Sequence, residues 1–344
     1  MARSEVGSSP YAKLARMGRS LTGAVLAFIM AHLMPVPASA QSFEVLGTRA
    51  AGMGGAFVAV ADDASAVYWN PAGIGRGGSY FSFVVDYNEG EAEPDDITQA
   101  GRRSANLVAV TTLPVGVSYY RLTASTLTPT LDPRAVTLDR LTTHHTGVTV
   151  VQSLTERVAV GATLKWVRGY AASGTVPDGD RDDLLDNAGE LPDMSTNKFD
   201  ADIGVMASFG QVRGGLTVRN VAEPDFSTPS GEILTLKRQT RAGIAYVGVP
   251  GLIVAADVDL ERAAGSLGEV QDLATGVEAK LFRRVAVRSG FRFNTLSDEP
   301  GGHAPVYSLG TTVTTYRSLL VDAQVTLGSR AGDRGWGVAA RLVY

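Results

Sequence analysis

"RVAVGATLKWVR" runs from Arg157 to Arg168, and its alternation decides how the chain folds. Successive side chains of an extended strand point to opposite faces. Val158, Val160, Ala162, Leu164 and Trp166 therefore share one face, while Arg157, Ala159, Gly161, Thr163 and Lys165 share the other. A soluble sandwich turns such an apolar face to its core, and a membrane barrel turns it to lipid. Soluble strands mostly run about five or six residues, whereas a tilted strand crossing a bilayer needs about 9–11. The same period recurs at Leu252, Val254, Ala256, Val258 and Leu260, and Val285, Val287, Phe291 and Phe293 oppose Arg284, Arg288 and Arg292.

The links between such runs separate the two architectures. Strands are predicted near 79–87, 105–111, 115–124, 144–153, 157–168, 198–209, 211–220, 236–247, 251–261, 272–282, 284–294, 305–316, 319–327 and 334–344. Tight turns fall at Thr112 to Pro114, Leu154 to Glu156, Gly210, Gly248 to Pro250, Arg283, and Arg317 to Ser318. They alternate with longer polar links at 88–104, 125–143, 169–197, 221–235, 262–271, 295–304 and 328–333. Short periplasmic turns and long outer loops mark outer-membrane barrels, and a sandwich gives no reason for the alternation. The expected fold is all-β, a transmembrane antiparallel β-barrel of about fourteen strands with both ends in the periplasm. Its last strand, "GWGVAARLVY", alternates Trp336, Val338, Ala340, Leu342 and Tyr344 and ends on an aromatic. Trp336 and Tyr344 then stand roughly 26 Å apart at about 3.3 Å per residue, one near each edge of the apolar band.

The N-terminus agrees with that compartment. Arg3, Lys13, Arg16 and Arg19 precede the apolar "LTGAVLAFIMAHLM", and Ala38-Ser39-Ala40 fits a small-x-small cleavage site, so residues 1–40 read as a signal peptide cut near Ala40. Removing its four bases and one acid, Glu5, takes the formal charge from −4 to −7. A nucleic-acid partner would want a basic stripe instead. The chain has no cysteine, so neither a disulfide nor thiolate chemistry enters.

Between signal and barrel, residues 41–78 lack strand alternation. Leu46 to Ala61, "LGTRAAGMGGAFVAVA", is rich in small residues. Asp62 or Asp63 suits the cap of a short helix over "ASAVYW", and Pro71 should end it. A compact apolar segment that starts in the periplasm is expected to fold inside the barrel 79–344 as a plug.

"RAAGMGGAFVAVADDASAVYWNPAGI" resembles the N-terminal hatch of the FadL family of outer-membrane long-chain fatty acid transporters. The likeness lies at Gly52, Gly54, Gly55, Ala61, Asp62, Asp63, Ala64, Ser65, Asn70, Pro71 and Ala72. PorV-type relatives, associated with protein secretion, carry the same hatch motif. The resemblance implies a fourteen-strand barrel in the outer membrane of a Gram-negative bacterium, closed by a hatch and passing hydrophobic small molecules such as fatty acids without ATP or a cofactor. Gating then falls to Gly52, Gly54, Gly55, Asp62, Asp63, Ser65, Asn70 and Pro71. A kink in the third strand, with Gly116 as its candidate, would open a lateral route into outer-membrane lipid. The alternative is a scaffold for a secreted protein.

Other motifs fall short of chemistry. "GMGG" has neither the strand, helix and distant acid of a dinucleotide site nor the Gly-Lys-Ser/Thr of a P-loop. "DGDRDDLLDNAGE" begins like an EF-hand at Asp178, Asp180 and Asp182, but has Asp183 where glycine is required and Gly189 where the bidentate glutamate belongs. It reads as a solvated acidic loop, with loose divalent bridging to lipopolysaccharide as the other reading of 178–193. Asp257, Asp259, Glu261, Glu278, Lys280, Arg284, Arg288 and Arg292 face inward, where mutual neutralisation is expected. The sharper expectation has Arg288 or Arg292 pairing with a ligand carboxylate. His144, His145 and His303 accompany no nucleophile motif, so no catalytic or metal-binding residues are assigned.

Overall fold

The computed structural model describes residues 45–77, 80–92, 100–265, 268–296, 305–328 and 334–344. The signal peptide, its cleavage site near Ala40 and His303 lie outside the described residues. Eighteen strands follow in chain order: β1 (Phe81–Ala92), β2 (Ala100–Thr112), β3 (Val115–Pro129), β4 (Ala135–Ser153), β5 (Val158–Pro177), β6 (Met194–Phe209), β7 (Val212–Arg219), β8 (Asp225–Ser227), β9 (Ile233–Thr235), β10 (Gln239–Val249), β11 (Leu252–Asp259), β12 (Ala263–Gly265), β13 (Gly268–Val270), β14 (Asp272–Phe282), β15 (Val285–Asn294), β16 (Val306–Tyr316), β17 (Leu319–Gly328) and β18 (Arg334–Val343). Fourteen of them close one antiparallel barrel in sequence order, and β1 pairs with β18 to complete the ring. The pairs β8–β9 and β12–β13 are small hairpins within outer loops.

The outer surface follows the alternation. Leu164 and Trp166 are 71% and 53% exposed, while Thr163 and Lys165 between them are buried. Val117, Val148, Val150, Ile244 and Leu309 extend this apolar exterior round the ring, a surface that lipid solvates and water does not. Aromatic rings mark its two edges. Trp336 meets Tyr87 at 5.3 Å between centroids, and Tyr344 meets Phe81 at 6.4 Å.

Strands β1 to β6 are longer than the alternation suggested. Most of the expected link 125–143 is strand, because β3 and β4 stay paired up to Pro129↔Val136. Strand β5 has 20 residues, about 66 Å at 3.3 Å each, well beyond a bilayer's needs even when tilted. Above the membrane, pairing continues but lipid no longer imposes apolar side chains, so the alternation fades. The acidic loop is not simply solvated either. Helix α3 (Arg181–Asp186) and the 3-10 turn Asn187–Glu190 lay Leu185 and Ala188 on Ala100, Leu127, Val136 and Leu138.

Two short helices lie upstream, α1 (Thr48–Gly52) and α2 (Ala66–Trp69). As expected, α2 stops before Pro71, which starts a 3-10 turn, Pro71–Gly75. The segment 45–77 is almost entirely buried. It touches strands on all sides of the ring: Met53 at β14, Gly52 at β16, Val58 at β7, Pro71 at β5 and Ile74 at β3. It therefore fills the lumen.

Candidate functional site

Small residues on the wall let the plug's backbone approach it. Gly54 and Gly55 adopt φ of +66° and +85°, which other residues rarely do. Opposite Gly54, a Cβ added to Gly290 would sit 2.0 Å from the Gly54 nitrogen. Gly52 approaches Gly310 less closely, the Gly310 Cα standing 3.2 Å from a Cβ added at Gly52. Wall carboxylates also take plug amides. Asp257 accepts from the N–H groups of Phe57 and Val58 at 2.7 and 2.8 Å, and Asp86 accepts from Thr48 at 2.6 Å.

The "DDAS" stretch forms an ionic latch. Arg49 of α1 reaches Asp62 at 2.5 Å, Asp63 at 3.0 Å and Glu278 of β14 at 2.8 Å. Asp63 also receives Arg341 of β18 at 3.1 Å, and Arg341 binds Asp322 of β17 at 2.5 Å. Within the plug, Asp63 accepts both the N–H and the hydroxyl of Ser65, at 2.9 and 2.5 Å. Burial pushes the Asp63 carboxyl up, but Arg341, then Arg49, and the Ser65 hydroxyl outweigh it and hold it at about 2.

Asn70 ties three segments together. Its amide donates to Val58 at 3.0 Å and to Val205 of β6 at 3.1 Å, while its oxygen accepts from Ala72 at 3.1 Å. Pro71 follows, packed so tightly against Gly161 of β5 that a Cβ there would meet the Pro71 carbonyl carbon at 2.4 Å.

Of the remaining expected positions, Arg288 joins the latch by sharing Glu278 with Arg49 and Asp322 with Arg341, while Arg292 and Gly116 lie away from it. Arg288 binds Glu278 at 2.5 Å, Asp322 at 3.3 Å and the Thr312 hydroxyl, so its guanidinium is engaged by the chain's own groups. Arg292 faces Asp272 at 3.6 Å. Gly116 packs near the tight-turn end of β3 against Ile74 and Val67, and β3 keeps unbroken register with β2 and β4 past it. Among the described residues, no cluster of metal-ligating side chains occurs.

A second buried polar group was not singled out from the sequence. Lys165 of β5 bonds Asp202 and Asp200 of β6 at 2.6 and 2.8 Å and donates to the Asn220 side-chain Oδ1 at 3.1 Å. Arg219, at the end of β7, lies over the Tyr68 ring of α2. Tyr120 meets Tyr68 edge-on at 5.5 Å and stacks on His145 at 4.3 Å. Inward parity along β5, β6 and β7 carried the signal for this group. On the adjoining strands β10 and β11, Arg241 forks onto Asp259 at 2.5 and 2.9 Å.

Comparison with known proteins follows the plug into the barrel. A family model described as "F plasmid transfer operon, TraF, protein" matches residues 47–259, more than half of the chain. The chain belongs to this family. No curated protein sequence matches it. Among solved structures, it resembles the CymD monoaromatic hydrocarbon channel (TM-score 0.65, 12% identity, covering 89% of this chain and 99% of that one). It also resembles the Pseudomonas putida toluene transporter TodX (0.60, 10%, 87% and 98%) and a Pseudomonas aeruginosa FadL homologue (0.59, 10%, 90% and 99%). The FadL-type fold expected from the hatch motif is thus present, at the level of fold, and closed barrels of this kind reside in the outer membranes of Gram-negative bacteria.

Proposed function

We propose that the protein is a plug-gated channel through which hydrophobic compounds cross the outer membrane passively, long-chain fatty acids and monoaromatic hydrocarbons being the cargo classes. The observation that carries this reading is a lumen filled by a segment held through side-chain ion pairs and single hydrogen bonds rather than by a sheet. Such a segment can shift while the barrel persists. A filled lumen suits a cargo that water-filled pores serve poorly, since an apolar molecule gains from contact with apolar walls. Leu107, Tyr120, Leu122, Leu141 and Val167 give the β2–β5 wall that character. The hatch residues Gly52, Gly54, Gly55, Asp62, Asp63, Ser65, Asn70 and Pro71 are the gate in this reading, and any lateral exit at Gly116 requires breaking the continuous β2–β3–β4 register.

The scaffold reading is favoured by one observation and one name. The lumen is filled on the tight-turn side by the plug, the β8–β9 hairpin buries Phe226 against the β4–β5 wall, and the matching family's description refers to a plasmid transfer operon. Uptake of labelled oleate and toluene by a Gram-negative strain lacking its own fatty acid transporter tests the two readings. Surface labelling of a tag in the 178–193 loop establishes assembly. Uptake above the empty strain supports the channel; none by an assembled barrel refutes it and directs the search to co-purifying proteins.

A further inference from the structure

On the outside of the barrel, three neighbouring strands end their apolar runs on one row of cationic and imidazole side chains. Rising from the tight turns along the outward parity, Tyr119 of β3 gives way to Arg121, Val148 and Thr146 of β4 to His144, and Trp166 of β5 to Arg168. Register sets Arg121 opposite His144 and His144 opposite Arg168. The three therefore share the outer face, each one strand, about 4.8 Å, from the next. Two tyrosines bracket the imidazole. The Tyr119 hydroxyl lies 2.7 Å from His144 Nδ1, and the Tyr170 ring meets it edge-on at 5.6 Å. With that hydroxyl donating, Nε2 carries the ring proton and is a donor as well. The Arg168 guanidinium carbon stands 5.1 Å from the centroid of the Tyr170 ring.

What this row lacks is an anion. Among the described residues, neither Arg121 nor Arg168 has a carboxylate partner, and the Arg121 Nε is screened from water without an acceptor. Outward acids nearby are spent elsewhere: Glu89 accepts from the Tyr87 hydroxyl at 3.0 Å, and Glu91 and Asp182 bind Arg102 at 3.0 and 3.1 Å. Unpaired charge at the edge of an apolar band costs free energy that a bound anion offsets. We infer that Arg121, His144 and Arg168 form an exterior site for the phosphate of an outer-leaflet lipid, of the lipopolysaccharide class. Phosphate follows from the donors, because guanidinium forks match its oxygens two at a time. The backbones of β3 and β5 are about 10 Å apart, so both forks can reach one group over the strand between them. A lipid follows from the position, because the row stands directly over Val148, Leu164 and Trp166, along which acyl chains lie while the head group meets the cations. The outer leaflet follows from the row's place at the end of the strands remote from the tight turns. The inference concerns the outer wall and does not depend on what crosses the lumen.

The probe is diphosphorylated lipid A, and its counterpart is the dephosphorylated lipid with the same acyl chains. Purified protein in detergent micelles is titrated with each, and retained lipid is counted by native mass spectrometry. Expected is at least tenfold tighter retention of the phosphorylated lipid by the unaltered protein, a comparison that needs no variant. Arg121→Gln with Arg168→Gln should abolish the preference, and Arg121→Lys with Arg168→Lys, which keeps the charge but not the fork, should keep part of it. Arg157→Gln removes a cation beside the β4–β5 tight turn, at the opposite edge of the wall, and should leave the preference intact. Heat-modifiable gel mobility establishes that each variant is folded. Equal retention of the two lipids by the unaltered protein, an undiminished preference in the double glutamine variant, or an equal loss in Arg157→Gln overturns the inference. Displacement of the lipid by excess inorganic phosphate would make the row a site for free phosphate and overturn the lipid assignment; no displacement is expected. Uptake of oleate or toluene bears on the channel reading alone, so the two fail independently.

Discussion

The guanidinium carbon of Arg219 lies 3.5 Å from the centroid of the Tyr68 ring, so the last residue of β7 rests directly on the plug. The next residue, Asn220, leads towards the β8–β9 hairpin while donating its N–H to Asp202 at 2.9 Å and sharing Lys165. A desolvated cation–π contact is worth about 2 kcal/mol. Tyr68→Leu is expected to weaken the plug by that order and to raise amide exchange over 48–77 while the barrel strands stay protected. Unchanged exchange in the plug would remove Arg219 from its attachment.

Arg49 is the latch's central cation, bridging plug and wall. Arg49→Met leaves Asp62, Asp63 and Glu278 with one cation fewer, a change that costs about 3–5 kcal/mol for a broken buried pair. Larger single-channel currents in planar bilayers are expected, with the folded barrel's gel mobility retained. Currents equal to those of the unaltered protein would mean that the glycine contacts alone hold the plug.

The pH dependence of the latch has a definite sign. Asp63 sits at about 2 in the folded protein against an ordinary 3.8. Its contribution, about 2 kcal/mol from a shift of this size, is therefore fully present above pH 4 and is lost as pH falls through 2. The Asp63 share of plug protection, read by limited proteolysis as the difference between the unaltered protein and Asp63→Asn, should be flat from pH 8 to pH 4. A loss near pH 6 would place the controlling group elsewhere.

Gly290→Ala inserts a methyl where the Gly54 nitrogen stands. Backbone meets backbone there, so no side chain can yield by rotating, and overpacking of this kind costs about 1–3 kcal/mol. The expected outcome is a displaced plug with increased current, whereas Gly210→Ala, in a tight turn where an added Cβ meets nothing within 4 Å, should affect only local turn geometry. Equal currents in the two variants would contradict the close approach.

Asn70→Ala removes the amide that joins Val58 and Val205, leaving two backbone carbonyls without this donor. The barrel should still assemble, and uptake of hydrophobic probe should fall because the plug no longer returns to a defined position. Unaltered uptake would exclude Asn70 from gating.

The barrel was legible because lipid imposes one rule on every outward position, and Leu164 or Val254 obeys it without regard to neighbours. The plug was legible by contrast, as small residues without alternation. Arg49 and Arg341 were not, since an ion pair between residues 278 positions apart, as at Asp63 and Arg341, leaves no local pattern. The upper ends of β1–β6 escaped for a related reason. Beyond the membrane, residues of β2, β3 and β4 such as Ala100, Leu127 and Val136 answer to α3, a partner that only the folded chain supplies.

The seam between β1 and β18 runs to the final residue, with Phe81 and Tyr344 exchanging both backbone hydrogen bonds at 3.1 and 3.0 Å. The ring closes through β18, and Arg341 of that strand bonds Asp63 at 3.1 Å. The seam that closes the wall is therefore also one of the seams to which the plug is moored, so a displaced plug would be felt first where the first and last barrel strands meet.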